Sequence, residues 1–414
     1  MKKNLLPKMG MTALMAATAF AGVGTPVLAA AGTNYGAVIE GTKTTSFDKY
    51  LVMDKQANVP NASFKYTVTA GVAKEYNVDG KKFQVLAGVD ADKVTMAGVA
   101  TTDANTITFK QGDTTKNDDN AFLKNYDKTT EKYVLKTATL DFSKVQFTEP
   151  GVYRYILTES GVNQAITNDA DTTRVVDVYV NDASSTTDAG ELTKKLTIAG
   201  YVLHSNADDT PDVSMGDNAG SSGNYAPTKS QGFTNDYDTS DLTFKKEVSG
   251  NQASRDKYFE FTVNITNAVP GTVYDVDITG ADAISKTNAA TINANGGQTN
   301  VTRLKIGDDG TVTQKFYLQH GQEIKVQGIA KDSKYNVTEK KEDYKSTAAA
   351  ATGYADPVSG TIVSTDLKTS YVNTRNGVIP TGVIMAVAPF AVVTILGGAG
   401  VVTMVMKKNK KEDE

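Results

Sequence analysis

Apolar and polar residues alternate with a period of two over most of the chain between about residue 40 and residue 375. Phe64, Tyr66 and Val68 alternate with polar neighbours, as do Leu196 and Ile198, Phe259, Phe261 and Val263, and Ile324 and Val326. That period puts successive side chains on opposite faces of an extended backbone, so the runs predict half-buried β-strands. Asp79-Gly80, Pro150-Gly151 and Asp309-Gly310 punctuate them as turns. The pattern predicts an all-β chain of two tandem immunoglobulin-like β-sandwich domains. A polar break over Asp236 to Asp241 divides residues 31–237 from residues 238–376, and Asn206 to Ser230, rich in Asp, Gly and Ser, reads as a long exposed loop of the first domain.

Several residues break the alternation. Lys49 falls on the apolar face with Phe47, Leu51 and Met53, and Lys246 falls with Leu242, Phe244 and Val248. Glu159 shares a face with Tyr153, Tyr155 and Leu157, and Glu339 with Tyr335 and Val337. Asn235 goes with Phe233, and Asn373 with Tyr371. Lys, Glu and Asn therefore occupy apolar faces in that order, twice. One such Lys is explained by an edge strand whose stem covers apolar surface while the ammonium reaches water. Two parallel triples point instead to an intramolecular isopeptide bond between Lys and Asn in each domain.

The chemistry requires these residue types. A solvated lysine is neutral in only about one molecule in a few thousand at pH 7, and burial lowers its pKa and frees the amine as a nucleophile. Burial is expected to push a glutamic acid the other way, so that it can carry a proton from the amine to departing ammonia. Asn supplies the carbonyl, and the folded core holds the partners together. The event occurs once per domain, so it is maturation without turnover and needs no cofactor.

The ends of the chain predict export. Lys2, Lys3 and Lys8 precede an apolar stretch from Met11 to about Val23 and small residues at Ala29 to Ala31, the pattern of a cleaved signal peptide over residues 1–30. At the other end, Val383 to Met406 is an uncharged apolar run followed by Lys407, Lys408, Lys410 and Lys411. Such a run is long enough to cross a hydrocarbon core of about 30 Å, with the lysines on the cytoplasmic side. The chain has no Cys, so any covalent staple of this exported protein uses other chemistry. Its 43 basic residues against 47 acidic ones leave no basic field for nucleic acid. His204 and His320 are the only histidines and lack zinc-site spacing, and the Asp-rich stretches lack calcium-loop spacing, so no metal site is expected.

Ahead of the apolar run stands Val378-Ile379-Pro380-Thr381-Gly382. A pentapeptide ending in Pro-Thr-Gly, a membrane-length segment and a basic tail together resemble the cell-wall sorting signal read by sortases of Gram-positive bacteria. A permanent single-span anchor is the alternative. Across the mature chain, SFDKYLVM, VPNASFKYTV, FTEPGVYRYILTE, GFTN, LTFKKEVSG, FYLQHGQEIKVQGI, YNVTE and YVNTRNGVIPTG resemble the corresponding segments of FctA-type, or T-antigen, major pilins. That resemblance implies bonds Lys49–Asn235 and Lys246–Asn373, formed with Glu159 and Glu339. It also implies sortase cleavage between Thr381 and Gly382. Partners would be sortase, neighbouring pilin subunits and peptidoglycan, with minor pilins or host ligands beyond them, and the location would be the cell surface, reached through a membrane intermediate.

These pilins also use a surface lysine shortly before the first-domain Asn as the acceptor for the next subunit. Lys229 is the only lysine between Leu203 and Asn235, but it lies one residue off the family spacing and follows a long Asp/Gly/Ser-rich insertion. It is the candidate acceptor, with an ordinary solvated loop lysine as the alternative. Two functions stay open at this level: the shaft subunit of a covalent pilus, and a monomeric wall-anchored adhesin with the same stapled domains. No catalytic constellation beyond the self-stapling triples suggests an enzyme.

Overall fold

The computed structural model describes residues 39–78, 81–97, 105–161, 163–205, 229–280 and 301–378. The predicted signal peptide, most of the predicted 206–230 loop and the sorting segment from Ile379 onward lie outside these residues. Among the described residues, no helix is long and apolar enough to cross a membrane.

Among the described residues strand is the dominant element, and the main sheets form two face-to-face pairs. The first pair is built from β1 (Thr44–Asp54), β2 (Ala62–Ala70), β3 (Glu131–Asp141), β4 (Gly151–Ser160), β5 (Thr173–Asp182), β6 (Leu196–His204) and β7 (Gly232–Tyr237). One sheet has β6, β5, β4 and β2 side by side, and the other has β7, β1 and β3. The second pair uses β8 (Thr239–Ser249), β9 (Phe259–Thr266), β10 (Val273–Gly280), β11 (Val312–Leu318), β12 (Gln322–Ala330), β13 (Lys334–Glu339) and β14 (Leu367–Thr374). Here β10, β12, β8 and β14 form one sheet and β11, β9 and β13 the other.

The predicted alternation is realised where one face meets solvent. Along β2 and β9 every second residue is buried, and Phe64, Tyr66, Phe259, Phe261, Val263 and Ile265 enter the cores. It fails where a sheet is covered on both sides. In β1, Tyr50 and Val52 point away from the core and are still buried, because they pack with Leu123 and Tyr133 in a small outer cluster. Each large aromatic or aliphatic side chain so enclosed contributes about 1.5–3 kcal/mol.

The first and last strands of each pair are neighbours and run parallel. β7 pairs with β1 with Phe233 opposite Lys49, and β14 pairs with β8 with Tyr371 opposite Lys246. The entry of β7 depends on Gly232, which has φ +154°, and a Cβ there would lie 1.7 Å from the Asp48 carbonyl oxygen. Only glycine allows the backbones to come so close.

The polar stretch Asp236 to Asp241 is more compact than the break expected from sequence. Asp238 is the one residue between β7 and β8, and Thr239, Ser240 and Asp241 are buried. Their polarity is satisfied internally: Thr239 Oγ1 donates to Asp54 Oδ2 at 2.6 Å, and Asp241 Oδ1 accepts from Gly328 N–H at 2.8 Å. Val269 and Ala330 of the second sheet pair pack into the first core, and Asn58 Nδ2 donates to Val273 O and Asp275 Oδ2, both at 3.0 Å. The junction is thus a packed interface without a spacer.

Candidate functional site

Each core contains one Lys, one Glu and one Asn on three different strands. In the first, β1 supplies Lys49, β7 supplies Asn235 and β4, from the facing sheet, supplies Glu159. Asn235 stands two residues beyond Phe233, the partner of Lys49, so both side chains enter the core from adjacent parallel strands. The second core repeats the relation: Asn373 stands two residues beyond Tyr371, the partner of Lys246, and β13 brings Glu339 across from the facing sheet. Lys49, Lys246 and Asn235 have no exposed surface, and the side chains of Glu159 and Glu339 are about as enclosed. All six residues singled out by broken alternation are therefore gathered into two triples.

At the first triple, Lys49 Nζ lies 2.8 Å from Glu159 Oε2 and donates to Oε1 at 3.0 Å. It also donates to Asn235 Oδ1 and sits 4.1 Å from the centroid of Phe64. Tyr66 OH donates to Glu159 Oε2 at 2.6 Å and holds the carboxylate from its far side. Burial and the adjacent Glu159 push the Tyr66 hydroxyl well above its ordinary pKa, so it remains a donor. At the second triple, Lys246 Nζ and Glu339 Oε1 are 2.6 Å apart, and Asn373 Nδ2 donates to that same oxygen at 3.0 Å. Ser346 Oγ holds Glu339 Oε2 at 2.8 Å, and Lys246 Nζ sits 4.3 Å from the centroid of Phe259.

Burial favours the neutral form of both amines. Desolvation is the largest influence on Lys49 and on Lys246, and it outweighs the neighbouring carboxylates to bring each pKa down to about 8. About a tenth of each amine is then neutral at pH 7, several hundred times the fraction of a solvated lysine. The rate of ammonia loss in newly made protein should therefore climb with pH and level off above about 8 in both domains. Quenched samples read by intact mass across a pH series check this, and a rate that keeps rising toward the pKa of an exposed lysine would refute it.

Tyr66, Asn168, Asp169, Arg174 and Ser346 also belong to these sites and were missed from sequence. Tyr66 could have been found, since it lies on the apolar face of β2 with a hydroxyl to satisfy. Asn168 and Asp169 stand outside any strand and Ser346 in a four-residue strand, where no periodicity marks them, and Arg174 sits with Thr173 at the polar start of β5, where a charged residue is unremarkable. Lys229 is exposed, and its backbone forms a bridge opposite His204 at the end of β6, while Ser230 N–H donates to Leu203 O at 2.9 Å. Val378 is exposed, and the rest of the sorting motif, Ile379, Pro380, Thr381 and Gly382, lies outside the described residues. Among the described residues no cluster of His, Cys, Asp or Glu could hold a metal ion.

Fold and sites together define a two-domain all-β chain with one buried Lys–Glu–Asn triple in each core. Residues 89–238 match the family described as the Spy0128-like isopeptide containing domain, FctA, in agreement with the resemblance to FctA-type pilins drawn from the sequence. Residues 240–375 match a family described as a domain of unknown function, DUF7601. The chain is 27% identical to a protein named Pilin from Streptococcus pyogenes serotype M1 over 90% of its own length and 92% of that protein's. Among solved structures it is similar to the major pilin from Streptococcus pyogenes, at 21% identity and a TM-score of 0.47, covering 81% of this chain and 100% of that one. It is also similar to the major pilin protein T3.2 of the same species, at 19% identity and a TM-score of 0.45, with the same coverage.

Proposed function

We propose that this chain is the structural subunit of a sortase-assembled, covalently linked surface pilus, stapled in each domain by a self-formed Lys–Asn isopeptide bond. The observation that carries the reading is the pair of fully enclosed triples with the same strand register. A buried ion pair is costly to keep as such, because desolvation of two charges offsets much of their attraction. Condensation removes that cost. Lys Nζ, in its neutral form, attacks Asn Cγ, the Cγ–Nδ2 bond breaks, and Glu passes the proton shed by Nζ to Nδ2, which leaves as ammonia, so an amine and a carboxamide become an amide and ammonia. Tyr66 and Ser346 hold the carboxyl groups in place while this occurs.

The staples suit a fibre. Each would join the first and last strands of its domain, which lie side by side and parallel, so tension entering at β1 or β8 would pass through the bond into β7 or β14 without peeling the strands between. Export through the signal peptide, cleavage after Thr381 and transfer of its acyl group to an amine complete the scheme. Lys229 is the acceptor proposed within the shaft, and peptidoglycan is the acceptor at the wall.

The test is electrophoresis of wall-released material. Wild type should give a ladder of multimers whose junction peptide joins the Thr381 carboxyl group to the Lys229 side chain. Lys229→Arg should abolish the ladder while leaving anchoring and both internal bonds intact, since Arg keeps the charge without an acceptor amine. A full ladder from Lys229→Arg moves the acceptor elsewhere, and a single anchored species from wild type favours the monomeric adhesin.

A further inference from the structure

The first triple has a neighbour that the second lacks. Asn235 Nδ2 donates to Asn168 Oδ1 at 3.0 Å, and Asp169 N–H donates to Asn235 Oδ1 at 3.3 Å. The turn supplying both groups is itself clamped to β7. Asp169 Oδ2 accepts from Arg174 Nη2 at 2.6 Å and from Thr234 N–H at 2.9 Å, and Arg174 Nε donates to Gly232 O at 2.8 Å. The turn and the strand carrying Asn235 are thus held as one unit, with the guanidinium 4.5 Å from the Phe233 ring. At the second triple, Asn373 Oδ1 is buried and makes no hydrogen bond among the described residues.

We propose that the Asn168–Asp169 turn is a positioning element for condensation in the first domain, with Asn168 orienting the departing nitrogen and the Asp169 N–H stabilising the carboxamide oxygen. This rests on the isopeptide reading above. As Lys49 Nζ bonds to Asn235 Cγ, the carbonyl π electrons move onto Oδ1. They return when Nδ2 leaves as ammonia with a proton delivered by Glu159. Charge grows on Oδ1 only during the reaction, so a fixed N–H aimed at it gains strength in the transition state. Asn168 is exposed whereas Asn235 is fully enclosed, which also puts Asn168 where ammonia can reach solvent.

Full-length protein made by cell-free synthesis, quenched at intervals and mapped by peptide mass across a pH series, reads both bonds in one chain. Asn168→Ala should slow the Lys49–Asn235 bond about tenfold at every pH and leave the pH midpoint unchanged. The Lys246–Asn373 bond, which serves as the folding control, should form at the wild-type rate. Asn168→Asp keeps an acceptor oxygen and should recover most of the rate. An unchanged rate in Asn168→Ala overturns the proposal. So does a slowed rate whose midpoint rises toward that of a solvated lysine, which would mark water entering a loosened core around Lys49, Glu159, Asp169 and Arg174. Wild type that never links Lys49 to Asn235 overturns the isopeptide reading itself.

Discussion

Replacing Glu159 with Ala is expected to return one ammonia to the mass of the folded protein, and replacing Glu339 with Ala the other, each without disturbing the opposite domain. Wild type should weigh two ammonia less than its mature sequence. The independence follows from the geometry, because each carboxylate contacts only its own Lys and the two triples belong to separate cores. The effect on stability should be large for two reasons. Closing the loop between Lys49 and Asn235, 186 positions apart, is worth on the order of 5 kcal/mol by the chain-entropy relation for cross-links. Removing Glu159 also leaves Lys49 enclosed without its counter-charge, a loss of about 3–5 kcal/mol in comparable buried pairs. Intact mass and thermal unfolding of the two variants check this. Folded wild type at the full sequence mass would eliminate the staples.

Asp177→Ala should be the most damaging substitution away from the triples. Asp177 is fully buried on β5 and accepts from Arg154 Nε and Nη2 of β4, both at 2.8 Å, while His204 Nε2 of β6 lies 3.2 Å away. Arg154 also donates to Tyr76 OH. Removing the carboxylate leaves an enclosed guanidinium without its counter-charge, which costs about 3–5 kcal/mol. Desolvation acts to raise the Asp177 pKa, but its bonds to Arg154, with His204 close by, outweigh it and hold the carboxyl below its usual range. A depressed carboxyl contributes stability that is present above the ordinary carboxylate pKa and is lost as pH falls through the folded value. The variant should therefore unfold at lower urea near neutral pH, and its deficit should shrink in acid. A change under about 1 kcal/mol at neutral pH would show that Arg154 finds other partners.

The two kinds of buried cluster differed in whether the sequence showed them. Lys49, Glu159, Asn235, Lys246, Glu339 and Asn373 stood out because strict alternation assigns each strand residue a face, and a charge on an apolar face is conspicuous whatever the topology. Arg154 and Asp177 gave no such sign. They occupy the outer face of their sheet and are buried there by tertiary neighbours, Tyr76 of the hairpin Lys74–Val78 and Lys81–Ala87 reaching Arg154 and His204 of β6 standing beside Asp177. Asn168 and Asp169 were silent too, since a turn has no period and the contacts to Asn235 span more than sixty positions.

The sequence by itself determined the strands, their buried faces and the chemical identity of both triples, because these depend on local periodicity and on the cost of hiding polar groups. Only the tertiary structure decided that the first and last strands of each domain lie parallel with the Asn two positions past the partner of the Lys. It alone decided which carboxylate crosses from the facing sheet, and that a clamped turn serves one triple and not the other. Those relations follow from the pairing of segments distant in the chain, where register is set by the packing of whole sheets and not by any residue's neighbours.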